Sequence, residues 1–277
     1  MKHLVVIRGG GEIATGAAIY LHNSGFRVLI LEKEKPLSTR REASFADAAY
    51  DGEKTVERVT CKRASSIREA EKMLKDGEIV MLIDPDGKHI QKFAPQVVVD
   101  AIMANENTGT TKDMAEHTLA LGPGFCAGRD VDAVIETMRG LDLGRIIYEG
   151  YTYRKQSAAY LVGHNDLENI IFATTAGRVE ALHNISYKLE KGEPVARIYK
   201  DDGSYVEICA HMSGVLRGVV RDDAMVVEGQ KVVDINPVMH QSDCFIMSDK
   251  VRCISGAVLQ AVMRWESQKP KRRLFGR

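Results

Sequence analysis

A glycine-rich turn near the start of the sequence has residue types and spacing that suit phosphate binding. Gly9-x-Gly11-x-x-Ala14 matches the Gly-x-Gly-x-x-Gly/Ala fingerprint of dinucleotide-binding βαβ units, with Gly10 at its second position. Glycines let the backbone approach a pyrophosphate, and the N–H groups at a helix start attract anions. Glu32 follows about 20 residues on, where such units bind a ribose hydroxyl. The pattern indicates either a nucleotide site or a tight turn beside a solvated acid.

The elements around this turn predict a parallel α/β sheet. Short apolar runs predict strands, and apolar residues at helical spacing predict helices. The predicted strands lie at 3–8, 26–31, 79–83 and 97–102, and the predicted helices lie at 12–24 and 67–74. Strands that alternate with helices favour a parallel sheet. We therefore predict a Rossmann-like domain with glycine-rich loops over residues 1–150.

A second group of glycines, together with two arginines, lies between residues 105 and 150. Its candidate ligand-binding residues are Gly122, Gly124, Gly128, Arg139 and Arg145. Loops of this composition build anion cradles from backbone amides, although glycine also serves ordinary tight turns. These residues are predicted to bind a second anionic portion of the same ligand. Cys126, inside the loop, is either a candidate reactive thiol or a small packed residue, because no histidine or lysine adjoins it.

The C-terminal half contains an internal repeat of 37 residues. Gly177 and Gly214 stand at this offset, as do Gly192 and Gly229. The repeated pattern resembles the biotinyl/lipoyl-like barrel-sandwich module, which we predict over 151–240. Asp202 stands where a carrier lysine is expected, so the pattern favours a docking or structural module. Residues 241–277 are predicted to form a strand and a helix, centred on 258–265, that return to the first domain.

Several motifs together resemble one family over most of the chain. They are Val5-x-Ile7-Arg8-Gly9-Gly10-Gly11, Gly109-Thr110-Thr111, Gly122-Pro123-Gly124-Phe125-x-Ala127-Gly128 and Leu143-Gly144-Arg145. The resemblance is to the YqeB-type family, accessory proteins of selenium-dependent molybdenum hydroxylase systems that are more distantly similar to XdhC/CoxI maturation factors. One departure is Leu141, because the family prefers histidine after the glycine at that point.

The resemblance implies a role in the maturation or cofactor loading of a molybdenum hydroxylase. The implied ligand is a nucleotide or a molybdopterin-type cofactor, and the implied partner is a client hydroxylase. The alternative from the residues alone is an NAD(P)-dependent oxidoreductase that uses the N-terminal unit. Against this alternative, no histidine or tyrosine-lysine pair stands at a spacing that completes hydride chemistry. Whether the chain is an enzyme, and whether it forms a homo-oligomer, stays open.

Composition narrows the function classes further. Among 277 residues, 38 Lys and Arg balance 38 Asp and Glu, so no overall field attracts nucleic acid or anionic lipid. The basic stretch 269–273 is short and is read as a solvated end. Five cysteines without a Cys-x-x-Cys pair predict neither a disulfide framework nor a metal site. Since no apolar run is long enough for a membrane span or a signal peptide, we expect a cytoplasmic protein.

Overall fold

A nine-stranded mixed sheet dominates the first part of the chain. The computed structural model describes residues 3–152 and 169–268. The strands up to residue 151 are β1 (Leu4–Arg8), β2 (Arg27–Glu32), β3 (Glu53–Val56), β4 (Val59–Ala64), β5 (Ile79–Ile83), β6 (Val97–Asp100), β7 (His117–Leu121), β8 (Cys126–Ala127), β9 (Ala133–Ile135), β10 (Ile146–Ile147) and β11 (Gly150–Tyr151). The large sheet has the order β10-β9-β7-β6-β1-β2-β5-β4-β3, and β8 pairs with β11. Its outermost pairs, β10–β9 and β3–β4, are antiparallel, and its inner pairs are parallel.

Helices cover both faces of the sheet, because its central strands are apolar on both sides. The helices are α1 (Glu12–Asn23), α2 (Ala48–Asp51), α3 (Ile67–Lys75), α4 (Ile90–Phe93) and α5 (Asp249–Gln268). In β1, Val5 and Ile7 pack in one core with α1 and α5, whereas Leu4 and Val6 pack in a second core with α3. This alternation follows from the two-residue period of a strand.

The contact between α1 and α5 depends on a small residue. A side chain at Gly16 of α1 would meet Val251 Cγ1 and lie 2.5 Å from Ser255 Oγ, both on α5. Glycine at this position lets the two helix backbones approach closely. The last helix of the described chain is thereby held on the same sheet face as the first.

The second part of the described chain forms two four-stranded antiparallel sheets around a core of its own. Its strands are β12 (Ile170–Phe172), β13 (Gly177–Ala181), β14 (Lys188–Leu189), β15 (Pro194–Tyr199), β16 (Tyr205–Cys209), β17 (Gly214–Val219), β18 (Met225–Val226) and β19 (Lys231–Asn236). The sheet orders are β12-β19-β17-β14 and β16-β15-β13-β18. We call residues 170–236 the repeat unit.

The 37-residue offset of the sequence recurs in the strands of the repeat unit. Strands β13, β14 and β15 begin 37 residues before β17, β18 and β19, respectively. The two copies exchange short strands, because β14 pairs with β17 and β18 pairs with β13. Each copy brings a glycine against a backbone carbonyl: Gly177 meets Tyr199, and Gly214 meets Asn236. The copies therefore interlock and share one core.

The predicted fold class, a Rossmann-like parallel sheet with helices plus a biotinyl/lipoyl-like module, is wrong for this chain. The sheet is mixed, and of the described α-helices only α1, α3 and α5 exceed four residues. The connection from β6 to β7 contains no α-helix. Residues 103–112 in that connection are polar and glycine-containing, so they offer no apolar stripe to pack on a sheet. The corrected description is a nine-stranded mixed sheet joined to two four-stranded antiparallel sheets.

Individual elements match the sequence better than the fold class does. The predicted helices at 12–24 and 67–74 are confirmed by α1 and α3, and the strand at 79–83 by β5. The strand expected after 241 is wrong, since Gln241–Phe245 form a 3-10 helix and α5 already begins at Asp249.

The division into domains at 150 and 240 stays a prediction. Residues 153–168 and the basic stretch 269–273 lie outside the described residues. Across the described residues, no helix is both long and apolar enough for a membrane span.

The tight contact at Gly16 yields a stability prediction. We expect Gly16→Val to lower the free energy of unfolding by about 2 kcal/mol, because the added side chain overpacks the space between α1 and α5. Gly256→Ala on α5 is the matched control. A Cβ there meets nothing within 4 Å, so alanine should raise stability slightly through helix propensity. Urea denaturation measures both changes, and equal stability of the two variants would contradict the packing argument.

Candidate functional site

A large cavity lies at the carboxyl ends of β1, β2, β5 and β6. Its volume is about 820 Å³, and we call it the switch-point cleft because the chain order reverses between β1 and β6. Ligands of open α/β sheets bind at such a point. Its lining residues are Gly9, Gly11, Glu12, Ile13, Leu31, Glu32, Lys33, Pro36, Leu37, Ser38, Thr39, Arg40, Ala46, Pro85, Asp86, Ala101, Ile102, Met103, Thr108, Ile170, Gln230 and Lys231. The last three belong to the repeat unit, so both parts of the chain form the cleft.

The N-terminus of α1 opens into this cleft. Gly11 caps the helix with φ −66° and ψ −178°, and a Cβ built on it meets nothing within 4 Å. The first helical hydrogen bond runs from Thr15 N to the Gly11 carbonyl. The amides of Gly11, Glu12 and Ile13 donate to no acceptor in the described part of the chain. Unpaired amides at the positive end of a helix dipole form an anion-binding site.

Arg40 is a buried cation in the wall of the cleft. Its side chain is 5% exposed, and Nη2 donates to Glu12 Oε1 at 3.3 Å and to the Ile246 carbonyl at 3.2 Å. Nη1 donates to the Arg217 carbonyl at 3.4 Å. The Nε atom is also buried, and it has no hydrogen-bond partner among the described residues. A buried guanidinium N–H without an acceptor is costly, so Arg40 carries an orphaned donor in the wall of the cleft.

The Glu12 carboxylate lies close to the α1 amides, where it would repel an anion. Two arginines offset its charge: Glu12 Oε1 lies 3.3 Å from Arg40 Nη2 and 3.8 Å from Arg217 Nη2. Arg217 also lies 3.7 Å from Asp234 Oδ1, and Lys231 Nζ lies 2.6 Å from Asp234 Oδ2. This chain of alternating charges links the repeat unit to the start of α1.

Glu32 lines the same cleft but is bound to the glycine turn itself. Its Oε2 accepts from Gly10 N at 2.7 Å, and its Oε1 accepts from Lys33 N at 2.7 Å. Burial raises the pKa of this carboxyl, and these two backbone hydrogen bonds oppose the rise. The acid that the sequence assigns to a ribose hydroxyl thus already accepts one hydrogen bond on each oxygen.

A buried polar network holds two loops in the wall of the cleft. Arg8, at the end of β1, is 1% exposed; it donates through Nη1 to Thr110 Oγ1 and through Nη2 to the Pro85 carbonyl at 3.1 Å. Thr110 Oγ1 donates to Asp100 Oδ2 at 2.5 Å, and Ile102 N donates to Asp100 Oδ1 at 3.1 Å. Arg8 Nη1 and Asp100 Oδ2 are 3.7 Å apart. The network fixes the loops that carry Pro85 and Thr108, which line the cleft.

The second group of predicted site residues is not brought to the switch-point cleft. Gly124 lines a separate cavity of about 440 Å³ together with Asn105, Glu106, Asn107, Pro123, Arg129, Tyr151 and Thr152. Arg139 instead binds Asp249 at the start of α5, and Arg145 binds Asp142. Gly122 and Gly128 line neither cavity.

Cys126 is half-buried beside these loops. Its Sγ lies 3.7 Å from the Ala127 carbonyl, and its amide donates to Asp130 Oδ2 at 2.8 Å. These contacts do not test whether the Cys126 thiol is reactive, so its reactivity stays a prediction. Throughout residues 3–152 and 169–268, no group of three or more His, Cys, Asp or Glu side chains could hold a metal ion.

Several residues of the site were missed by the sequence reading. Arg40 and Lys231 carry charge into the cleft, but they lie 31 and 222 residues after Gly9, and neither belongs to a motif. Arg8 and Thr110 belong to motifs of the family resemblance, and Thr110 also lies in a glycine- and threonine-rich stretch, but neither is predicted as a site residue. An arginine at the end of an otherwise apolar strand is the one available signal, because a cation there must be paired if it is buried.

The chain is similar in sequence to one curated protein of unassigned function. It is 42% identical over 261 residues to the uncharacterized protein YqeB of Escherichia coli, which covers 94% of this chain and 47% of that protein. The chain thus spans about half the length of the curated relative it matches. The predicted YqeB resemblance is confirmed to this extent. No protein-family model matches the chain.

The solved structures that resemble this chain have low sequence identity to it and low structural similarity. The product-bound ectoine utilization protein EutE of Ruegeria pomeroyi is 12% identical, with 86% of this chain and 59% of that chain covered and a TM-score of 0.25. A succinylglutamate desuccinylase from Silicibacter is 12% identical, with 86% and 85% covered and a TM-score of 0.26. Scores this low transfer neither a fold nor an activity to this chain.

These comparisons require a correction of the predicted function. Proteins of the succinylglutamate desuccinylase/aspartoacylase family are among the solved structures that match, as is a 2-naphthoyl-CoA reductase. The comparisons support neither the predicted maturation role nor the alternative oxidoreductase, and both are withdrawn, together with the molybdenum hydroxylase role on which the first depended. The resemblance lay in turn and loop motifs, which identify a relative without specifying the chemistry of a site.

The network around Asp100 yields a pH prediction. Burial raises the pKa of this carboxyl, so the folded state binds its proton more tightly than the unfolded state. Its contribution to the free energy of unfolding therefore falls as the pH rises from the unfolded pKa to the folded pKa. We expect the destabilisation caused by Asp100→Asn to shrink as the pH rises above about 4, as measured by urea denaturation.

The exposed Asp76, at the end of α3, provides the control for this experiment. Asp76→Asn should show no comparable trend with pH. A difference between wild type and Asp100→Asn that stays constant across the range would contradict the assignment.

Proposed function

We propose that this chain binds a small phosphate-bearing molecule in the switch-point cleft. The observation that carries the proposal is the meeting of the unpaired α1 amides with the buried Arg40 in one cavity. Phosphate groups accept several hydrogen bonds at once, and both backbone amides and guanidinium groups recognise them. A cavity of about 820 Å³ also has the size of a small-molecule site.

The apolar part of the lining suits the remainder of such a ligand. Ile13, Leu31, Ala101, Ile102 and Met103 line the cleft alongside its polar groups. An apolar wall with a few converging polar groups is typical of sites that bind cofactor-sized molecules. The ligand would contact the repeat unit at Ile170, Gln230 and Lys231, so binding would involve both parts of the chain.

The identity of the ligand is part of the proposal. A nucleotide and a molybdopterin-type cofactor, the ligands predicted from the sequence, each carry a phosphate group, and NAD(P) carries a pyrophosphate. The predicted partners, a client enzyme and a second copy of the chain, stay predictions. The maturation role implied by the resemblance is not part of the proposal.

A substitution at Gly11 tests the binding site without straining the backbone. The φ and ψ of Gly11 suit any L-residue, and its Cβ direction is open. We expect Gly11→Val to keep the thermal midpoint within a few degrees of wild type while weakening ligand binding by about tenfold or more, because the side chain covers the α1 amides. Isothermal titration calorimetry with phosphate, AMP, ATP and NADH measures the affinity, and a thermal melt measures stability.

Two further variants sharpen this test. Gly11→Ala adds a smaller side chain in the same direction, so its loss of affinity should lie between wild type and Gly11→Val. Gly256→Ala, on α5, adds a methyl group outside the cleft and should leave affinity unchanged. Undiminished binding by a folded Gly11→Val protein, or binding of none of the four ligands by wild type, would overturn the proposal.

A further inference from the structure

We infer that Glu32 limits the charge of the ligand: the cleft accepts a single anionic group, such as a monophosphate, and gains no affinity from the second phosphate group of a pyrophosphate. This inference rests on the proposed function and narrows its ligand class. It assigns Glu32 as a residue that determines specificity through repulsion.

The Glu32 carboxylate occupies the concave side of the glycine turn. Its Oε2 lies 2.7 Å from Gly10 N and would lie 3.3 Å from a Cβ placed on Gly10. Its Oε1 lies 2.7 Å from Lys33 N. An internal anion therefore already accepts from the Gly10 amide, which a pyrophosphate would otherwise use.

The amides that remain unpaired are adjacent and few. Gly11, Glu12 and Ile13 belong to one helix turn, and their amides supply donors for one anionic group beside Arg40 in the wall of the cleft. Successive amides at a helix start converge on a single point, so they suit one phosphate or carboxylate. A second anionic group displaced toward Gly10 would approach the Glu32 carboxylate.

The cations of the cleft do not compensate for this repulsion. Arg40 is paired with Glu12, and Lys231 lies 2.6 Å from Asp234. Lys33 lines the cleft as well. Its backbone amide donates a hydrogen bond to Glu32 Oε1, so the positive charge of Lys33 has the Glu32 carboxylate as a neighbour. Two charges a few ångströms apart in a partly enclosed cleft repel strongly, since water screens them incompletely.

The experiment compares inorganic phosphate with pyrophosphate on the full chain by isothermal titration calorimetry. Wild type should bind pyrophosphate no more tightly than phosphate, despite the higher charge of pyrophosphate. Glu32→Gln removes the charge and keeps the shape of the side chain, so it should strengthen pyrophosphate binding by about tenfold while changing phosphate binding by less than about threefold. Glu34→Gln, an exposed acid two residues on that does not line the cleft, should change neither.

Each outcome supports or overturns the inference. Pyrophosphate affinity that is unchanged or lower in Glu32→Gln overturns it, while phosphate binding by wild type leaves the proposed function standing. Absence of binding of both anions by wild type overturns this inference, and the proposed function falls with it when AMP, ATP and NADH do not bind either. If Glu32→Gln does not fold, the wild-type protein decides alone, because pyrophosphate binding about tenfold tighter than phosphate binding contradicts the inference.

Discussion

A buried guanidinium connects the parts of this molecule. Arg40 donates to Glu12 at the start of α1, to the Arg217 carbonyl in the repeat unit, and to the Ile246 carbonyl just before α5. Burying an arginine is costly unless its donors are paired, so each partner must stay in place. Other contacts reinforce the same junction: Arg41 donates to the Val219 carbonyl, and Gly218 lies against the backbone of Thr39. The switch-point cleft exists because this junction holds the repeat unit over the sheet.

Within the cleft, opposed electrostatic features act at short range. The N-terminus of α1 attracts an anion. The Glu32 carboxylate, which accepts a hydrogen bond from the amide of Gly10 just before that N-terminus, repels it. The two effects act at different amides. Gly11, Glu12 and Ile13 line the cavity with unpaired amides, whereas the Gly10 amide donates to the Glu32 carboxylate. A site of this kind selects ligands by their net charge as well as by their shape. The buried network of Arg8, Thr110 and Asp100 holds the loops in its wall.

The family resemblance and the site chemistry gave different kinds of information. Loop motifs such as Gly122-Pro123-Gly124-Phe125 pointed to a relative, and 42% identity to YqeB bears out that part. The comparisons with known proteins do not support the function attached to the resemblance, and the solved structures are too distant to supply another. Arg139 and Arg145, chosen as ligand-binding cations because they adjoin glycines, bind Asp249 and Asp142 instead. A charge near a glycine in sequence is a weak guide to a site, because nearby acids compete for it.

The sequence by itself determined the local elements and the repeat. Apolar periodicity predicted α1, α3 and β5 because each depends on spacing within a few residues, and the 37-residue offset reappears in the strand starts of the repeat unit. Tertiary structure decided what these elements form. The site of Arg40 and the contact of Glu32 with Gly10 depend on residues between 22 and 206 positions apart, whose meeting no local pattern encodes. The glycine turn was visible in the sequence, but the carboxylate that already occupies one of its amides was visible only in the fold.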